Sequence, residues 1–198
     1  MKILSNILAF AMFVGCLAVL LFVVFPKADP SPIFKSYSYK EEKVKEDVPL
    51  PTMLHPLVEK YRDELVASVK KKGIDVVITE GHRTEERQNE LYARGRSTDG
   101  QVVTNAQAGE SYHNYGLAID FALRTPNGDV VWDTERDDNE NGEADWMEVV
   151  AVAKDMGFEW GGDWRNFKDY PHLQMDFGLS IRELKRGERP KVEEYADE

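Results

Sequence analysis

Four histidines are present in the chain, and two of them, His113 and His172, stand near carboxylates at spacings that suit a metal ion. Ser111 to Asp120 reads SYHNYGLAID. Gly116 marks a tight bend, and beyond it Leu117, Ile119 and Phe121 alternate with Ala118 and Asp120, the period-2 pattern of a strand. Asp120 therefore points away from the apolar face. The stretch His172 to Phe177 alternates in the same way, with His172, Gln174 and Asp176 on its polar side. Two imidazoles and one carboxylate make a three-ligand zinc site whose fourth tetrahedral position is left for water, as a catalytic site requires. Zinc lowers the pKa of such a water to roughly 7 and polarises the carbonyl under attack.

A hydrolase built this way also needs a general base within hydrogen-bond reach. Asp169 is the candidate, because Pro171 forces Tyr170 into an extended conformation and leaves Asp169 in the loop beside the strand that begins at His172. It would return the proton to the leaving amine. Arg83, between a strand and a helix, is placed to bind the developing oxyanion or a substrate carboxylate. Ser111 and Gln174 either contact substrate or support the ligands by hydrogen bonding. The residues alone leave a plainer alternative open: His113 and Asp120 as a capping pair and a solvated strand residue, Arg83 as a surface arginine. The single cysteine, Cys16, lies in the most apolar stretch, so the folded part has neither a disulfide nor thiolate ligands.

A second metal pattern stands apart from the first. Asp137 to Glu148 reads DDNENGEADWME and fits the calcium-loop pattern D-x-[DN]-x-[DN]-G-x5-E. Asp137, Asn139 and Asn141 offer side-chain oxygens, Gly142 the sharp turn, Glu143 its carbonyl, Asp145 a direct or water-mediated ligand and Glu148 a bidentate one. A strand rather than a helix precedes this loop, and Ala144 stands where a larger apolar residue is usual. Bound calcium is expected to order the loop and, through Trp146, to brace the zinc-bearing sheet. An acidic solvated loop is the alternative.

The elements that must position these residues follow from periodicity and caps. From Pro56 to Lys72 the residues Leu57, Tyr61, Leu65 and Val69 recur every four positions, with Gly73 as the stop, so an amphipathic helix is expected. Ile74 to Thr79 is a β-branched strand, and Thr84 caps a second helix that Gly95 closes. After the strand ending near Arg124, Asn127-Gly128 predicts a hairpin returning through Val130 to Trp132. Asp145 to Met156 reads as a helix with Met147, Val150, Ala151 and the Lys154 stem facing inwards, and residues 158–170 read as an aromatic, glycine-rich loop. Ser180 and Glu183 form a capping box for a short last helix. Sequential strands then pair antiparallel, giving an α+β domain whose helices pack on one side of an antiparallel sheet.

Residues 3–25 contain no charge and as a helix would span roughly 34 Å, enough to cross a bilayer. No good small-residue cleavage site follows, which favours an uncleaved signal anchor over a signal peptide; lipidation at Cys16, within Phe13-Val14-Gly15-Cys16, is the alternative. Residues 26–51 are a proline-containing linker, residues 52–187 the zinc domain and residues 188–198 a frayed tail. The net charge of −11 argues against a nucleic-acid partner. A monomer is expected.

Ser111, His113, Gly116, Ala118 and Asp120, with Asp169 and His172, resemble the signature of the zinc D-alanyl-D-alanine carboxypeptidase group, which includes the signalling domain of hedgehog proteins. The stretches ITEGHRT, GESYHNYGLAIDFAL, GFEWGGDW and FKDYPH resemble more closely the peptidoglycan L-alanyl-D-glutamate endopeptidases of bacilli (CwlK type) and related phage endolysins. The resemblance runs from His55 to Met175. It implies that His113, Asp120 and His172 hold zinc, that Asp169 is the catalytic base, for which some relatives carry Glu, and that Arg83 supports substrate or transition state. It further implies cleavage of the L-Ala to D-Glu bond of cell-wall stem peptides, by a domain tethered on the outer, wall side of a bacterial membrane. A carboxypeptidase removing D-Ala and a non-catalytic hedgehog-like zinc module are the rivals.

Overall fold

A computed structural model describes residues 48–191. The uncharged run 3–25, most of the linker and the end of the tail lie outside the described residues. Among those described, no helix is long and apolar enough to cross a membrane.

Pro56 starts α1 (Pro56–Lys71), where its missing N–H costs nothing, and Gly73 at φ +89° ends it. Leu57, Val58, Leu65 and Val69 are its buried stripe. β1 (Val76–Glu80) leads to α2 (Glu85–Ala93), whose N-cap Thr84 accepts from the Arg87 N–H. A 3₁₀ turn (Tyr112–Tyr115) then precedes β2 (Ala118–Arg124), and β3 (Val130–Val131) returns along it after the Asn127-Gly128 turn. α3 (Asp145–Asp155), β4 (Glu159–Trp160), β5 (His172–Gln174) and α4 (Ile181–Lys185) complete the order.

Every strand pair is antiparallel, in the order β1-β2-β5-β4, with β3 paired to the far end of β2. Ile119, Phe121 and Leu123 of β2 join the core with α1 and α3, so these helices cover one face of the sheet. The Phe121 ring lies 4.4 Å from that of Trp146 on α3. Such pairs add about 0.5–1.5 kcal/mol beyond the burial of their area. The expected α+β architecture is the one observed.

Three local expectations fail. On α3 the buried stripe is Trp146, Val149, Val150 and Ala153, while Met147 is 46% exposed and Ala151 is on the surface. Burying Trp146, the largest side chain of the helix, fixes its rotation and turns Met147 outwards. Within the expected loop 158–170, Glu159 and Trp160 pair with Gln174 and Leu173 as an edge strand, too short to show an alternation in sequence. Strand β5 stops at Gln174 rather than Phe177, because its partner β2 begins at Ala118, opposite Gln174; Phe177 and Gly178 beyond it adopt positive φ.

Gly116 also has φ +68°, and a Cβ there would lie 2.3 Å from the Met53 carbonyl oxygen. The chain entering α1 therefore packs directly on the bend that feeds β2, an arrangement sealed by the His55 N–H donating to the Gly116 carbonyl at 2.9 Å. At the other end of the described chain, the Arg189 guanidinium donates to the carbonyls of Val48 and Pro49.

Candidate metal centre

The face of the sheet opposite the helices carries the chemistry. Asp120 sits on central β2, directly opposite His172 on β5 and Glu80 on β1. The pairing of β1 with β2 shifts between Ile78 and Glu80, a bulge that turns Glu80 onto the same face as Asp120. His113 arrives from the 3₁₀ turn just before β2. Ser111 caps that turn by accepting the His113 N–H, and Asn114 Nδ2 ties the turn to the Arg83 carbonyl.

Three ligand atoms converge. His113 Nε2 lies 3.2 Å from Asp120 Oδ1 and 3.1 Å from His172 Nδ1, and His172 Nδ1 lies 3.3 Å from Asp120 Oδ1. Tetrahedral zinc with ligands at about 2.0–2.1 Å places those ligands about 3.3 Å apart, so the donor set fits the ion. Among the described residues this is the one group of three or more His, Cys, Asp or Glu side chains so arranged. The far nitrogen of each ring is engaged: His113 Nδ1 with the Gly81 carbonyl at 2.7 Å, and His172 Nε2 with Gln174 Oε1 at 3.0 Å. These acceptors take the ring protons and leave the converging nitrogens as bare lone pairs, the tautomers that a metal needs. Gln174 is itself oriented by donating to Glu159 Oε2 at 2.9 Å. His55 stacks on Phe177 at 5.0 Å, with its pKa lowered by burial, and takes no part in the cluster.

Burial would raise the Asp120 carboxyl, but whenever the two rings are protonated the charge and hydrogen bond of His113, then those of His172, outweigh it and hold the group well below the ordinary carboxylate range. Arg83 adds a permanent cation. It is only 7% exposed, and it donates through Nη2 to Asp120 Oδ2 and through Nη1 to Gln88 Oε1, both at 3.0 Å. Its Nε–H is buried without an acceptor among the described residues.

Asp169 lies on the same cleft, a cavity of about 720 Å³ that also includes Arg83, Ser111, Gln174 and the three ligands. Its pKa is raised, first by burial and then by the Asp120 charge, against the pull of His172, His113 and Arg83. Gly161 makes its position possible: a Cβ there would meet the Asp169 carbonyl at 2.5 Å and the His172 Cβ at 3.1 Å. Asp137, Asn139, Asn141, Glu143, Asp145 and Glu148 do not line this cleft.

Sequence reasoning missed the supporting residues. Gln88, fully buried, joins Arg83 to the loop before the 3₁₀ turn by donating to the Ala106 carbonyl at 2.7 Å. Its position one helical turn beyond the Thr84 cap was the available signal. Glu80, 3.7 Å from the Arg83 guanidinium, depends on a bulge that no sequence pattern announces. Replacing Gln174 by Leu removes the acceptor that fixes the His172 tautomer. Zinc affinity is expected to fall roughly 10–100-fold, read by competition with a chromogenic chelator; unchanged affinity would show that the tautomer is set elsewhere.

The chain is similar to several known proteins. A family model described as D-alanyl-D-alanine carboxypeptidase matches residues 104–175, which contain His113, Asp120, Asp169 and His172. The peptidoglycan L-alanyl-D-glutamate endopeptidase CwlK of Bacillus subtilis is 55% identical over 139 residues, 70% of this chain and 83% of that protein. The L-alanyl-D-glutamate peptidase of Listeria phage A118 is 36% identical over 127 residues, 61% of this chain but 40% of the phage protein. Among solved structures, the L-Ala D-Glu endopeptidase ChiX of Serratia marcescens is 25% identical, with a TM-score of 0.37, covering 69% of this chain and 95% of that one. With the ligand cluster in place and more than half of the aligned residues identical to CwlK, the chain belongs to the family of peptidoglycan L-alanyl-D-glutamate endopeptidases.

Proposed function

We propose that this protein is a zinc-dependent peptidoglycan hydrolase that cleaves the L-Ala to D-Glu bond of cell-wall stem peptides. The observation that carries the reading is the cluster of His113, Asp120 and His172 at the floor of a cleft that also holds Asp169, in a chain 55% identical to an enzyme of that activity. When bound by these three residues, zinc supplies a Lewis acid and acidifies water. The protein's own groups do the rest. Asp169, whose proton affinity is raised by burial, takes a proton from the attacking water and passes it to the departing amine of D-Glu. Arg83 offers its unsatisfied Nε–H to a substrate oxygen. An unpaired buried donor costs about 1–3 kcal/mol, which substrate binding would recover.

Purified wall digested with the zinc-loaded protein is expected to yield new C-terminal alanine and N-terminal glutamate, and none after chelation. Asp169→Asn should keep its zinc and lose about 10²–10⁴ in kcat. Release of single D-alanine residues would favour the carboxypeptidase reading, and full wall hydrolysis by Asp169→Asn would remove the base from the mechanism.

The loop 137–148 is proposed as a calcium site. Three features support it. The Asp137 carboxylate accepts the N–H groups of Asn141 and Gly142 at 3.1 and 2.8 Å, winding the loop around one centre. Glu148, buried at 6% exposure, reaches back to Asn139 and Asn141. Asp145 Oδ1 is buried without a hydrogen-bond partner among the described residues. Calcium would replace the amide donors now facing Glu148 and turn the amide oxygens inwards. Added calcium is expected to raise Tm by a few degrees in the native chain but not in Glu148→Gln; unchanged Tm and activity under calcium-specific chelation would exclude the site.

We also propose that residues 3–25 anchor the protein in the bacterial membrane with the zinc domain on the wall side. The support is the uncharged run itself and a substrate found outside the cell. The full chain should sediment with membranes and a chain lacking residues 3–25 should not; equal partition of the two would refute the anchor.

A further inference from the structure

We propose that Trp132 is a stacking platform for the sugar ring that carries the stem peptide, so that the cleft recognises glycan-linked peptide in preference to free peptide. The inference rests on the L-alanyl-D-glutamate reading above. Trp132 is 56% exposed, yet it lines the cleft that holds the metal cluster. A large apolar ring left in water at the mouth of a binding cleft is the usual mark of a ligand contact.

Register places it. Val131 pairs with Leu123 and packs on the core, so Trp132, the next residue, points to the opposite face, the one that bears Asp120 and Ala122. Trp160 packs on Tyr170 and Trp164 on His172, whereas the Trp132 ring has no aromatic partner among the described residues.

The substrate supplies a matching group at a matching distance. In the wall, the amino group of L-Ala is acylated by the lactyl arm of an amino sugar, so the sugar ring lies about two residue lengths, roughly 7 Å, from the scissile carbonyl. Ala122 is two residues from the ligand Asp120, about 7 Å along the strand, and Trp132 directly follows Val131, the cross-strand partner of the adjacent Leu123. The acyl side of the substrate would then lead towards β3. The charged groups on the cleft walls are of both signs, Glu80, Glu110 and Asp169 with Arg83 and Arg94. A pyranose is neutral on its faces and presents C–H groups, the complement of the electron-rich face of an indole.

The test uses the zinc-loaded full chain and two substrates with the same L-Ala-D-Glu-containing peptide, one bearing N-acetylmuramic acid on L-Ala and the other a simple N-acetyl group. For the wild type, kcat/KM is expected to be about tenfold higher on the sugar-bearing substrate. In Trp132→Ala that ratio should fall towards one, and Trp132→Phe, which keeps a ring, should retain part of it. Both substrates are read on one preparation, so any loss of folded protein cancels from the ratio. A ratio that Trp132→Ala leaves at the wild-type value would overturn the platform. Cleavage of neither substrate at the L-Ala to D-Glu bond by the wild type would instead overturn the reading on which the platform rests.

Discussion

A carboxylate taken out of water must have its charge answered, and the need to answer Asp120 organises this molecule. Its side chain is 17% exposed at the centre of the sheet, and His113, His172 and Arg83 all turn their nitrogens towards it. Leaving such a charge unpaired would cost several kcal/mol, so the elements that carry these partners cannot drift without penalty. A bound dication strengthens the same logic, because two imidazole lone pairs held about 3 Å apart gain little from each other and much from a cation between them. The fold can be read outwards from this point. Strand β2 presents the carboxylate, β5 and the 3₁₀ turn bring the imidazoles, and the β1–α2 junction brings the guanidinium.

Much of that plan was legible in the sequence, because it rests on signals that are local. The alternation of Leu117, Ile119 and Phe121 against Ala118 and Asp120 sets the face of the carboxylate, and the same alternation around Leu173 sets that of His172. Thr84, Ser180 and Gly73 stop and start helices through caps that involve only a few neighbouring residues. What could not be read depends on partners distant in the chain. The rotation of α3 follows from Phe121 receiving Trp146. The strand at Glu159 exists only because Gln174 offers an edge, and the orientation of Glu80 follows from a bulge against β2. The cluster itself could be found because imidazoles are few. Their tautomers could not, since a backbone carbonyl at Gly81 and an amide at Gln174 act as acceptors and neither advertises that role in sequence.

The proposed base is held differently from the metal cluster. Asp169 lies on no regular element, yet its backbone is pinned on both sides: its N–H donates to the Gly161 carbonyl at 3.1 Å, and its own carbonyl accepts the His172 N–H at 3.2 Å. Trp160 Nε1 donates to the Tyr170 carbonyl at 2.7 Å and fixes the following turn. The short edge strand β4 thus serves the site more than the sheet. It leads directly into Gly161, whose bare backbone lets Asp169 approach β5, and a side chain there would push the carboxylate out of place before it disturbed the core.

The acidic loop is remote from the cleft but not mechanically separate from it. It ends at the start of α3, where Trp146 packs on Phe121, and Phe121 is the neighbour of Asp120 on β2. Glu148 also reaches Lys72 at 3.1 Å, and Asn139 donates to the Lys72 carbonyl at 3.2 Å, so the loop clamps the end of α1 as well. Order in this loop therefore bears on both helices that support the sheet from beneath. Packed interiors transmit such constraints because side chains at crystal-like density have few places to move. A cation held there would act on the zinc centre through stiffness rather than through its field, which salt and distance attenuate over the width of the domain.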